Sequence, residues 1–278
     1  MTRRLILDNK IKQIYELLSQ YPSFAVTFSG GIDSMLLLYL AHQMFPQKVS
    51  AVTIKSPTLS KQERIRIDEI VQMLSVEHEY LDMDELSNSK FVCNDKKRCY
   101  YCKLDRVLYL QRWAKLNNIA VLLDGSNVDD LSDYRPGMKA VEEVGDKFVS
   151  PFLIAGITKS EIRKIAKNMG IAYWDLPSSA CLASRIETGI SLTYENLQKV
   201  EIAEEYLRQY LPGIVRVRHH GALARIEIPP ENFAILLNEE IRSKVLKQLN
   251  SIGYKSIVLD LYGYQVGSMN TALTGGEK

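Results

Sequence analysis

The stretch from Phe24 to Leu40 constrains the fold more than any other part of the sequence. It begins with an apolar run, Phe24–Phe28, that has the length and composition of a buried strand. The glycine-containing segment Ser29–Ser34 follows, and apolar residues with strong helix formers continue to Leu40. A strand, a glycine turn and a helix start, in this order, direct backbone N–H groups at an anion. The sequence therefore predicts a phosphate-binding loop.

The residue types in this loop suit a nucleotide phosphate. Gly30 and Gly31 let the main chain approach a phosphate closely, and Ser29 and Ser34 add hydroxyl donors. Asp33 suits a magnesium ion carried by the phosphates. The same residue types also form ordinary turns. No lysine follows the second glycine, so this is not a Walker-type loop; it resembles the PP-loop of ATP pyrophosphatases, which implies ATP and Mg²⁺ as ligands.

Composition excludes several classes of protein. A chain of 278 residues can bury a full core and form two domains. Its 35 basic and 33 acidic residues give a net charge of +2, which offers no electrostatic argument for nucleic acid. No apolar run is long enough to span a bilayer, and the first residues lack the apolar stretch of a signal peptide. We expect a cytoplasmic homo-oligomer with no membrane or nucleic-acid partner.

Helical and strand patterns alternate through roughly the first 175 residues. The predicted helices are Leu5–Tyr21, Lys61–Leu74, Leu104–Leu116 and Lys159–Met169, and the predicted strands after Phe24–Phe28 are Lys48–Ile54, Glu79–Leu81 and Ala120–Leu123. Such alternation favours an α/β fold with a doubly wound parallel sheet. The last of these strands ends at Asp124, and open α/β sheets bind ligands at the carboxyl ends of their strands.

The pattern changes near Pro177. Residues Pro177–Leu192 are rich in Ser, Ala and Gly, which is typical of a linker or an active-site loop. Beyond them, the predicted helices are Tyr194–Tyr210 and Glu231–Leu249, and the predicted strands are Ile214–His219, Leu223–Ile228 and Ser256–Leu261. We therefore expect a first domain over residues 1–177 and a smaller C-terminal α+β domain over residues 178–278.

The four cysteines are too few for a disulfide scaffold, and their spacing points to metal binding or catalysis. Cys99 and Cys102 form a CxxC pair among basic residues, which fits a metal or cluster ligand pair and equally fits plain structural cysteines. Cys181 lies in a small-residue segment, four residues before Arg185, whose guanidinium can hold a phosphate or a carboxylate. We interpret Cys93 as a small buried hydrophobe.

Charged residues elsewhere allow more than one interpretation. Arg135 begins a possible turn shortly after Asp124, or it serves the nucleotide site. Arg216 and Arg218 are two apart on a predicted strand and so share one face. A solvated strand face is often charged, so this spacing alone does not separate a binding role from an ordinary surface.

Four segments in this order resemble the LarE family of ATP-dependent sulfur transferases: SGGIDS, LDGSNVDDLSDYRPG, ACLASR and VRVRHHGALARIEIP. Members of this family make the pyridinium bisthiocarboxylate nucleotide precursor of the nickel-pincer cofactor. The resemblance extends from about Ser23 to Met269 and implies a PP-loop ATP pyrophosphatase domain followed by a sulfur-transfer domain. It implies a small nucleotide-like substrate whose carboxylate is adenylylated by ATP and then thiolated.

The resemblance also implies roles for individual residues. The catalytic set would be Asp33, Ser34 and Cys181. The nucleotide site would comprise Ser29, Gly30, Gly31, Asp33, Ser34, Asp124 and Arg135. The substrate phosphate would be held by Ser184, Arg185, Arg216 and Arg218, and a divalent metal by Glu204 and Glu227.

The family contains two classes that differ in their cysteines. One class has a single cysteine in the loop after the PP-loop domain and gives up its sulfur, leaving dehydroalanine. The other adds a CxxC pair, and the three cysteines hold a 4Fe-4S cluster. Cys99, Cys102 and Cys181 match the second class. Three thiolates leave one iron of the cluster without a protein ligand, where hydrosulfide from a sulfur donor can bind.

We therefore expect ATP, Mg²⁺ and a 4Fe-4S cluster as cofactors. Three alternatives stay open: sacrificial use of Cys181, an RNA-thiolating PP-loop enzyme, and a protein that binds AMP or a cluster without catalysis. An RNA-thiolating enzyme predicts a basic stripe and salt-dependent RNA affinity, and the near-neutral charge argues against it.

Overall fold

A computed structural model describes residues 3–131, 136–177 and 180–265. The chain divides into two compact units. The first comprises Met1–Ser56, Lys61–Met83 and Cys99–Ser179, and the second comprises Pro57–Ser60, Asp84–Arg98 and Ala180–Lys278. Two short segments that precede residue 177 thus belong to the second unit. The functional assignment of residues 1–177 and 178–278 stays a prediction.

The first unit is built on a parallel β-sheet. Its strands in the described residues are β1 (Phe24–Thr27), β2 (Val49–Lys55), β3 (His78–Asp82), β4 (Val121–Leu123) and β5 (Phe148–Val149). They pair in the order β3-β2-β1-β4-β5, and every pairing is parallel. This confirms the predicted doubly wound α/β fold. The strand order reverses between β1 and β4, and a sheet of this kind binds its ligand at that switch point.

The helices mostly follow the predicted pattern. In chain order they are α1 (Arg3–Ser19), α2 (Ile32–Met44), α3 (Lys61–Leu74), α4 (Ser89–Val92), α5 (Arg98–Leu116), α6 (Pro136–Val144), α7 (Pro151–Ile154), α8 (Lys159–Asn168), α9 (Tyr194–Arg208), α10 (Phe233–Leu237) and α11 (Glu239–Ser251). Short 3₁₀ turns occupy Glu85–Ser87, Val128–Leu131, Leu182–Arg185 and Pro230–Asn232. Among the described residues, no helix is both long and apolar enough to cross a membrane.

The core of the first unit surrounds the predicted phosphate loop. Residues 24–26 of β1 are fully buried, as expected for a central strand of a parallel sheet that is covered on both faces. Residues 35–38 of α2 are also fully buried, so this helix has no polar stripe over its middle turns. The loop between β1 and α2 is therefore held at both ends by elements that cannot shift without disturbing the core.

The second unit contains a small mixed sheet. Its described strands are β6 (Arg216–His220), β7 (Leu223–Glu227) and β8 (Ser256–Leu259). β6 and β7 form an antiparallel hairpin, and β8 pairs with β7 in parallel. Buried apolar residues of α9, β6, β7 and α11 form one cluster, which includes Leu207, Val217, Ile226 and Leu249. A smaller α+β unit was predicted here, and the second sheet agrees with that prediction.

One predicted element is wrong. The predicted helix Glu231–Leu249 is divided into a 3₁₀ turn, α10 and α11. The break lies at Asn238, whose backbone is extended with a ψ of 133°. The Asn238 side chain accepts hydrogen bonds from the N–H groups of Glu240 and Ile241 and so begins a new helix. In addition, α5 starts at Arg98 rather than Leu104, which places the CxxC pair in a helix.

Candidate functional site

The predicted phosphate loop lies between the end of β1 and the start of α2. Ser29 Oγ lies 3.2 Å from Ser34 Oγ, and Ser34 Oγ donates to the carbonyl oxygen of Gly31 at 3.1 Å. The Gly31 N–H donates to Ser29 Oγ at 3.4 Å. Gly31 precedes α2 and has no side chain that could cap it. The two hydroxyl groups and the N-terminal amides of α2 therefore converge in a manner suited to an anion.

Gly30 requires glycine because of its backbone and its neighbours. Its φ of +70° lies in the left-handed region, and a Cβ here would lie 2.8 Å from Ile67 Cγ1. Its carbonyl oxygen accepts a hydrogen bond from Arg66 Nε at 2.9 Å. Arg66 is buried, and this burial lowers the pKa of its guanidinium. Sequence reasoning missed Arg66, since nothing in the local pattern separates it from the other charged residues of α3.

The turn after β4 packs directly against the start of α2. A Cβ on Gly125 would lie 2.8 Å from the Ser34 nitrogen and 2.9 Å from Asp33 Cβ. The neighbouring Asp124 is buried, and its Oδ1 accepts hydrogen bonds from Ser126 N at 3.0 Å and Ser150 Oγ at 2.7 Å. Asp124 thus shapes this turn. Its predicted contact with the nucleotide stays a prediction, and Arg135 lies outside the described residues.

We predict that Gly125→Ala destabilises the protein by about 1–3 kcal/mol, because the added methyl group meets backbone atoms that cannot move independently. Gly31→Ala is the matched control in the same site. Its Cβ would meet only Ser29 Oγ at 3.4 Å, and its φ of −81° suits any residue, so stability should change little. Urea unfolding of both variants measures the difference. Equal stability of the two variants would contradict the close approach of the two loops.

Asp33 has a cationic partner that sequence reasoning missed. Lys159 Nζ lies 2.6 Å from Asp33 Oδ1, although the two residues are 126 positions apart. Lys159 is the first residue of α8, and its N–H donates to Asp129 Oδ2 at 2.8 Å. A capping box formed by Thr158 and Glu161 fixes this helix end. The sequence signal for the capping box marks the helix start, but it does not identify the partner of Lys159.

In the second unit, Glu204 is the centre of a buried charge cluster. Its Oε1 accepts from Arg185 Nε and from Val217 N, both at 3.2 Å, and its Oε2 accepts from Arg208 Nη2 at 2.5 Å. Arg216 Nη1 lies 4.0 Å from Oε2. Burial opposes ionisation of Glu204, but the three guanidinium groups and the Val217 N–H outweigh it and lower its pKa. The carboxyl group is therefore an anion at neutral pH.

Arg185 connects this cluster to Cys181. Its Nη1 donates to the carbonyl oxygen of Cys181 at 2.8 Å and also to that of Ala180. Ser184 Oγ donates to the same Cys181 oxygen at 2.7 Å. Arg185 is itself only 5% exposed. The contacts fix the backbone that carries the partly exposed Cys181, and the predicted phosphate role of Arg185 and Ser184 stays a prediction.

Arg216 and Arg218 pair with different carboxylates. Arg218 donates to Glu227 Oε2 through Nε at 2.9 Å and Nη2 at 2.7 Å, and Arg225 donates to Oε1 at 3.1 Å. Glu227 is fully buried. Arg216 stacks over Tyr264, with its guanidinium carbon 5.7 Å from the ring centre. Burial, reinforced by the charge of Arg185, lowers the pKa of Arg216 to about 10, so it stays a cation at neutral pH.

The buried cluster predicts a specific pH dependence of stability. Since the pKa of folded Glu204 lies below its ordinary 4.5, its contribution is complete above that pH and is lost as the pH falls further. At pH 7, Glu204→Gln should cost about 3–5 kcal/mol, because three arginines lose their shared anion. The difference from wild type should shrink below pH 4.5, as followed by urea unfolding. The exposed Glu231→Gln is the control; a deficit that persists in acid would contradict the prediction.

None of the four cysteines, all of which lie in the described residues, forms a disulfide bond. Cys99 and Cys102 lie in the first turns of α5, three residues apart and so on one face of the helix. They belong to the first unit, whereas Cys181 belongs to the second. Within the described ranges, no group of three His, Cys, Asp or Glu side chains is arranged to hold a metal ion. The metal roles predicted for these cysteines, and for Glu204 and Glu227, stay predictions.

The interpretation of Cys93 as a buried hydrophobe is wrong, because this residue is exposed. It directly follows the short helix α4, and the nearby residues Phe91 and Asn94 take the interior positions instead. Because Cys93 is exposed, replacing it should disturb the core little, which makes it a useful control.

Comparison with known proteins agrees with the geometry of the phosphate loop. The family model described as queuosine biosynthesis protein QueC matches residues 23–98, which include this loop. The uncharacterized protein slr1717 of Synechocystis is 35% identical over 269 residues, covering 97% of this chain and all of its own. The uncharacterized protein MJ0830 of Methanocaldococcus jannaschii is 32% identical over 259 residues, covering 93% of this chain and 96% of its own.

A third relative carries a functional name. The pyridinium-3,5-bisthiocarboxylic acid mononucleotide synthase of Lactiplantibacillus plantarum is 33% identical over 269 residues, which cover 96% of each chain. Such similarity over nearly the whole of both chains goes well beyond a shared loop. This chain belongs to the LarE family of ATP-dependent sulfur transferases.

Proposed function

We propose that the protein adenylylates a carboxylate of a pyridinium carboxylate mononucleotide and converts it into a thiocarboxylate for nickel-pincer cofactor synthesis. The observation that carries this proposal is the 33% identity to the named synthase over 96% of both chains. The geometry of the loop between β1 and α2 supports it, since this loop lies at the switch point of the sheet and suits a nucleotide phosphate.

The first step uses the phosphate loop. A substrate carboxylate oxygen attacks the α-phosphorus of ATP, and the bond to the bridging oxygen breaks, so pyrophosphate leaves with the electron pair. The hydroxyl groups of Ser29 and Ser34 and the N-terminal amides of α2 stabilise the charge that develops on the phosphates. Asp33 is the carboxylate that would hold Mg²⁺, which when bound neutralises part of the phosphate charge.

The second step transfers sulfur. A hydrosulfide attacks the acyl carbon of the adenylate and forms a carbon–sulfur bond, and the bond to the AMP oxygen breaks. AMP leaves with the electron pair, and the proton of the hydrosulfide is released. Cys181 lies on the backbone segment that Arg185 and Ser184 hold in place. We propose that Cys181 takes part in this step.

The cysteines fit a cluster by their chemistry. Three thiolates from Cys99, Cys102 and Cys181 are the ligand type that a 4Fe-4S cluster takes. Cys99 and Cys102 lie three residues apart in α5, so both side chains can bind the same cluster. When bound, such a cluster supplies an iron atom at which hydrosulfide can bind. The cysteine pattern supports this source of sulfur, and sacrificial use of Cys181 is the alternative that the experiments below separate from it.

We propose that the substrate phosphate binds at Arg216 and Arg218. Buried carboxylates already approach both guanidinium groups, so a phosphate there would share them with Glu204 and Glu227. Each guanidinium group can bind a carboxylate and a phosphate at the same time, because it carries five N–H donors in one plane.

We predict that Arg216→Lys or Arg218→Lys weakens substrate binding about 10- to 100-fold, because a lysine ammonium cannot reproduce the bidentate fork. ATP affinity should not change. Isothermal titration calorimetry with the substrate and with an ATP analogue that cannot be cleaved measures both affinities. The exposed Arg242→Lys, on α11, serves as the control. Equal losses for the two ligands would show that these arginines do not select the substrate.

The proposed function is tested by incubating anaerobically purified protein with ATP, Mg²⁺, sulfide and the dicarboxylic acid counterpart of the named product. Pyrophosphate and AMP should appear together, and mass spectrometry should find sulfur in place of a carboxylate oxygen. Pyrophosphate release without sulfur incorporation would agree with the proposed adenylylation but contradict the proposed transfer of sulfur. Release of neither product would contradict the proposal as a whole.

A further inference from the structure

Helix α3 packs directly against the phosphate loop. A Cβ on Gly30 would lie 2.8 Å from Ile67 Cγ1 and 3.6 Å from Arg66 Nε, so the helix reaches the loop backbone at this residue. Arg66 Nε donates to the Gly30 carbonyl oxygen at 2.9 Å, and Arg66 is buried. A buried arginine from another part of the chain therefore holds the loop at its left-handed residue.

The charge of Arg66 is more than this carbonyl oxygen requires. Burying a cation is costly, and a neutral N–H donor would satisfy a carbonyl oxygen as well. Burial lowers the pKa of the Arg66 guanidinium, and the carboxylates of Glu63 and Glu69, three residues away on either side in α3, oppose that shift. A guanidinium is still protonated at neutral pH. The loop backbone therefore lies against a buried positive charge.

The same contact fixes the direction of an amide group. The Gly30 carbonyl and the Gly31 N–H belong to one peptide group, and no cis peptide bond occurs in the described residues. In a trans peptide the C=O and N–H bonds point in opposite directions. Because Arg66 holds the carbonyl oxygen, the Gly31 N–H points the other way, where it donates to Ser29 Oγ at 3.4 Å. It is thus aimed at the hydroxyl pair of the predicted phosphate site.

The Gly31 N–H can exchange its present acceptor for a phosphate oxygen. Its 3.4 Å hydrogen bond to Ser29 is longer than the usual range of about 2.7–3.2 Å, so little is lost when it breaks. A cation at the carbonyl oxygen also makes the N–H of the same peptide a stronger donor, because linked hydrogen bonds polarise one another. The charge of Arg66 can therefore act on a phosphate without touching it.

We propose that Arg66 is a positioning residue that aims and polarises the Gly31 N–H toward the phosphates of ATP. This inference rests on the proposed function. As the bond between the α-phosphorus and the bridging oxygen breaks, negative charge gathers on the leaving pyrophosphate. An N–H that is already aimed at the phosphates stabilises this charge without further rearrangement. Arg66 acts through the peptide group and does not contact ATP.

The first test measures binding by isothermal titration calorimetry. Arg66→Met should weaken the binding of ATP and of inorganic pyrophosphate about 10- to 100-fold, the range for a hydrogen bond to a charged group. Binding of adenosine, which has no phosphate, should not change. Arg66→Gln keeps a neutral donor and should lose less. Arg64→Met, an exposed arginine on the same helix, is the control and should bind all three as wild type does. Equal losses for adenosine and ATP would refute the proposal, because they would indicate general damage to the fold.

The second test measures the rate of pyrophosphate release. Arg66→Met should lower this rate about 10- to 100-fold, and Arg66→Gln should lower it less. If Arg66→Met releases pyrophosphate at the wild-type rate while wild type is active, the role of Arg66 is refuted and the proposed function stands. If wild type releases none, the proposed function is wrong, and the role of Arg66 toward ATP is then decided by the binding measurements.

The third test observes the peptide group itself. In ¹⁵N-labelled protein, the Gly31 amide proton should resonate at higher field in Arg66→Met than in wild type, because its hydrogen bond is weaker. Adding inorganic pyrophosphate should shift this signal to lower field in wild type and less so in the variant. Arg64→Met should reproduce the wild-type spectrum, and urea unfolding checks that each variant is folded. A Gly31 signal that is the same in Arg66→Met and wild type would refute the proposal.

Discussion

Replacing Asp33 by alanine is expected to lower ATP-dependent pyrophosphate release by about 10²–10³-fold without unfolding the protein. The carboxylate is 27% exposed, so its removal leaves no cavity in the core. Its ion pair with Lys159 is partly solvated and contributes at most about 1 kcal/mol to stability. The loss should therefore appear in catalysis, where Asp33 is the proposed ligand of Mg²⁺.

The rate is measured with a coupled pyrophosphate assay, and folding with far-ultraviolet circular dichroism. Ser34→Ala is a second variant of the same site, because its hydroxyl group bonds to Ser29 and Gly31. Asp8→Ala removes an exposed carboxylate from α1 and is the matched control. If Asp33→Ala and Ser34→Ala both release pyrophosphate at the wild-type rate, ATP is cleaved elsewhere in the protein.

The second large expected effect is a loss of iron and of thiolation activity when one of three cysteines is replaced. Anaerobically prepared protein should contain about four iron atoms per chain, as a 4Fe-4S cluster requires. Replacing Cys99, Cys102 or Cys181 by serine should lower iron content and thiolation together, because each loss removes one of three protein ligands. Cys93→Ser is the control, since Cys93 is exposed and lies outside the proposed ligand set.

The sacrificial alternative predicts a different outcome. Only Cys181 would then matter, and the intact mass of the protein would fall by the elements of H₂S after one turnover. A fully active double variant, Cys99→Ser with Cys102→Ser, combined with that mass loss at Cys181 would exclude the cluster. Iron and sulfide analysis and intact-protein mass spectrometry, on the same samples, separate the two mechanisms.

The sequence predicts those parts of the fold that depend on patterns between residues close together in the chain. The helix Lys61–Leu74 was predicted with the observed bounds, because its apolar residues repeat at helical spacing. The phosphate loop was found because strand, glycines and helix start are consecutive. The two-residue strand Phe148–Val149 was missed, since so short a segment carries no periodicity of its own.

The partners within the site could not be predicted in the same way. Lys159 reaches Asp33 across 126 positions, and Arg66 reaches the Gly30 carbonyl across 36. Spacing along the chain carries no information about such pairs. The arginines of the second unit illustrate the same point: their spacing predicts that Arg216 and Arg218 share one strand face, but not that Glu204 and Glu227 are buried against them.

The order of segments along the chain has a consequence for biosynthesis. Residues 84–98 leave the ribosome early, yet their hydrogen-bond partners are made much later. The Asn94 side-chain amide donates to the carbonyl oxygens of Glu187 and Ile190, and the Leu192 N–H donates to the Val92 carbonyl. These hydrogen bonds therefore cannot form until roughly a hundred more residues have been synthesised. A fragment that stops at residue 177 would therefore lack the partners of Val92 and Asn94.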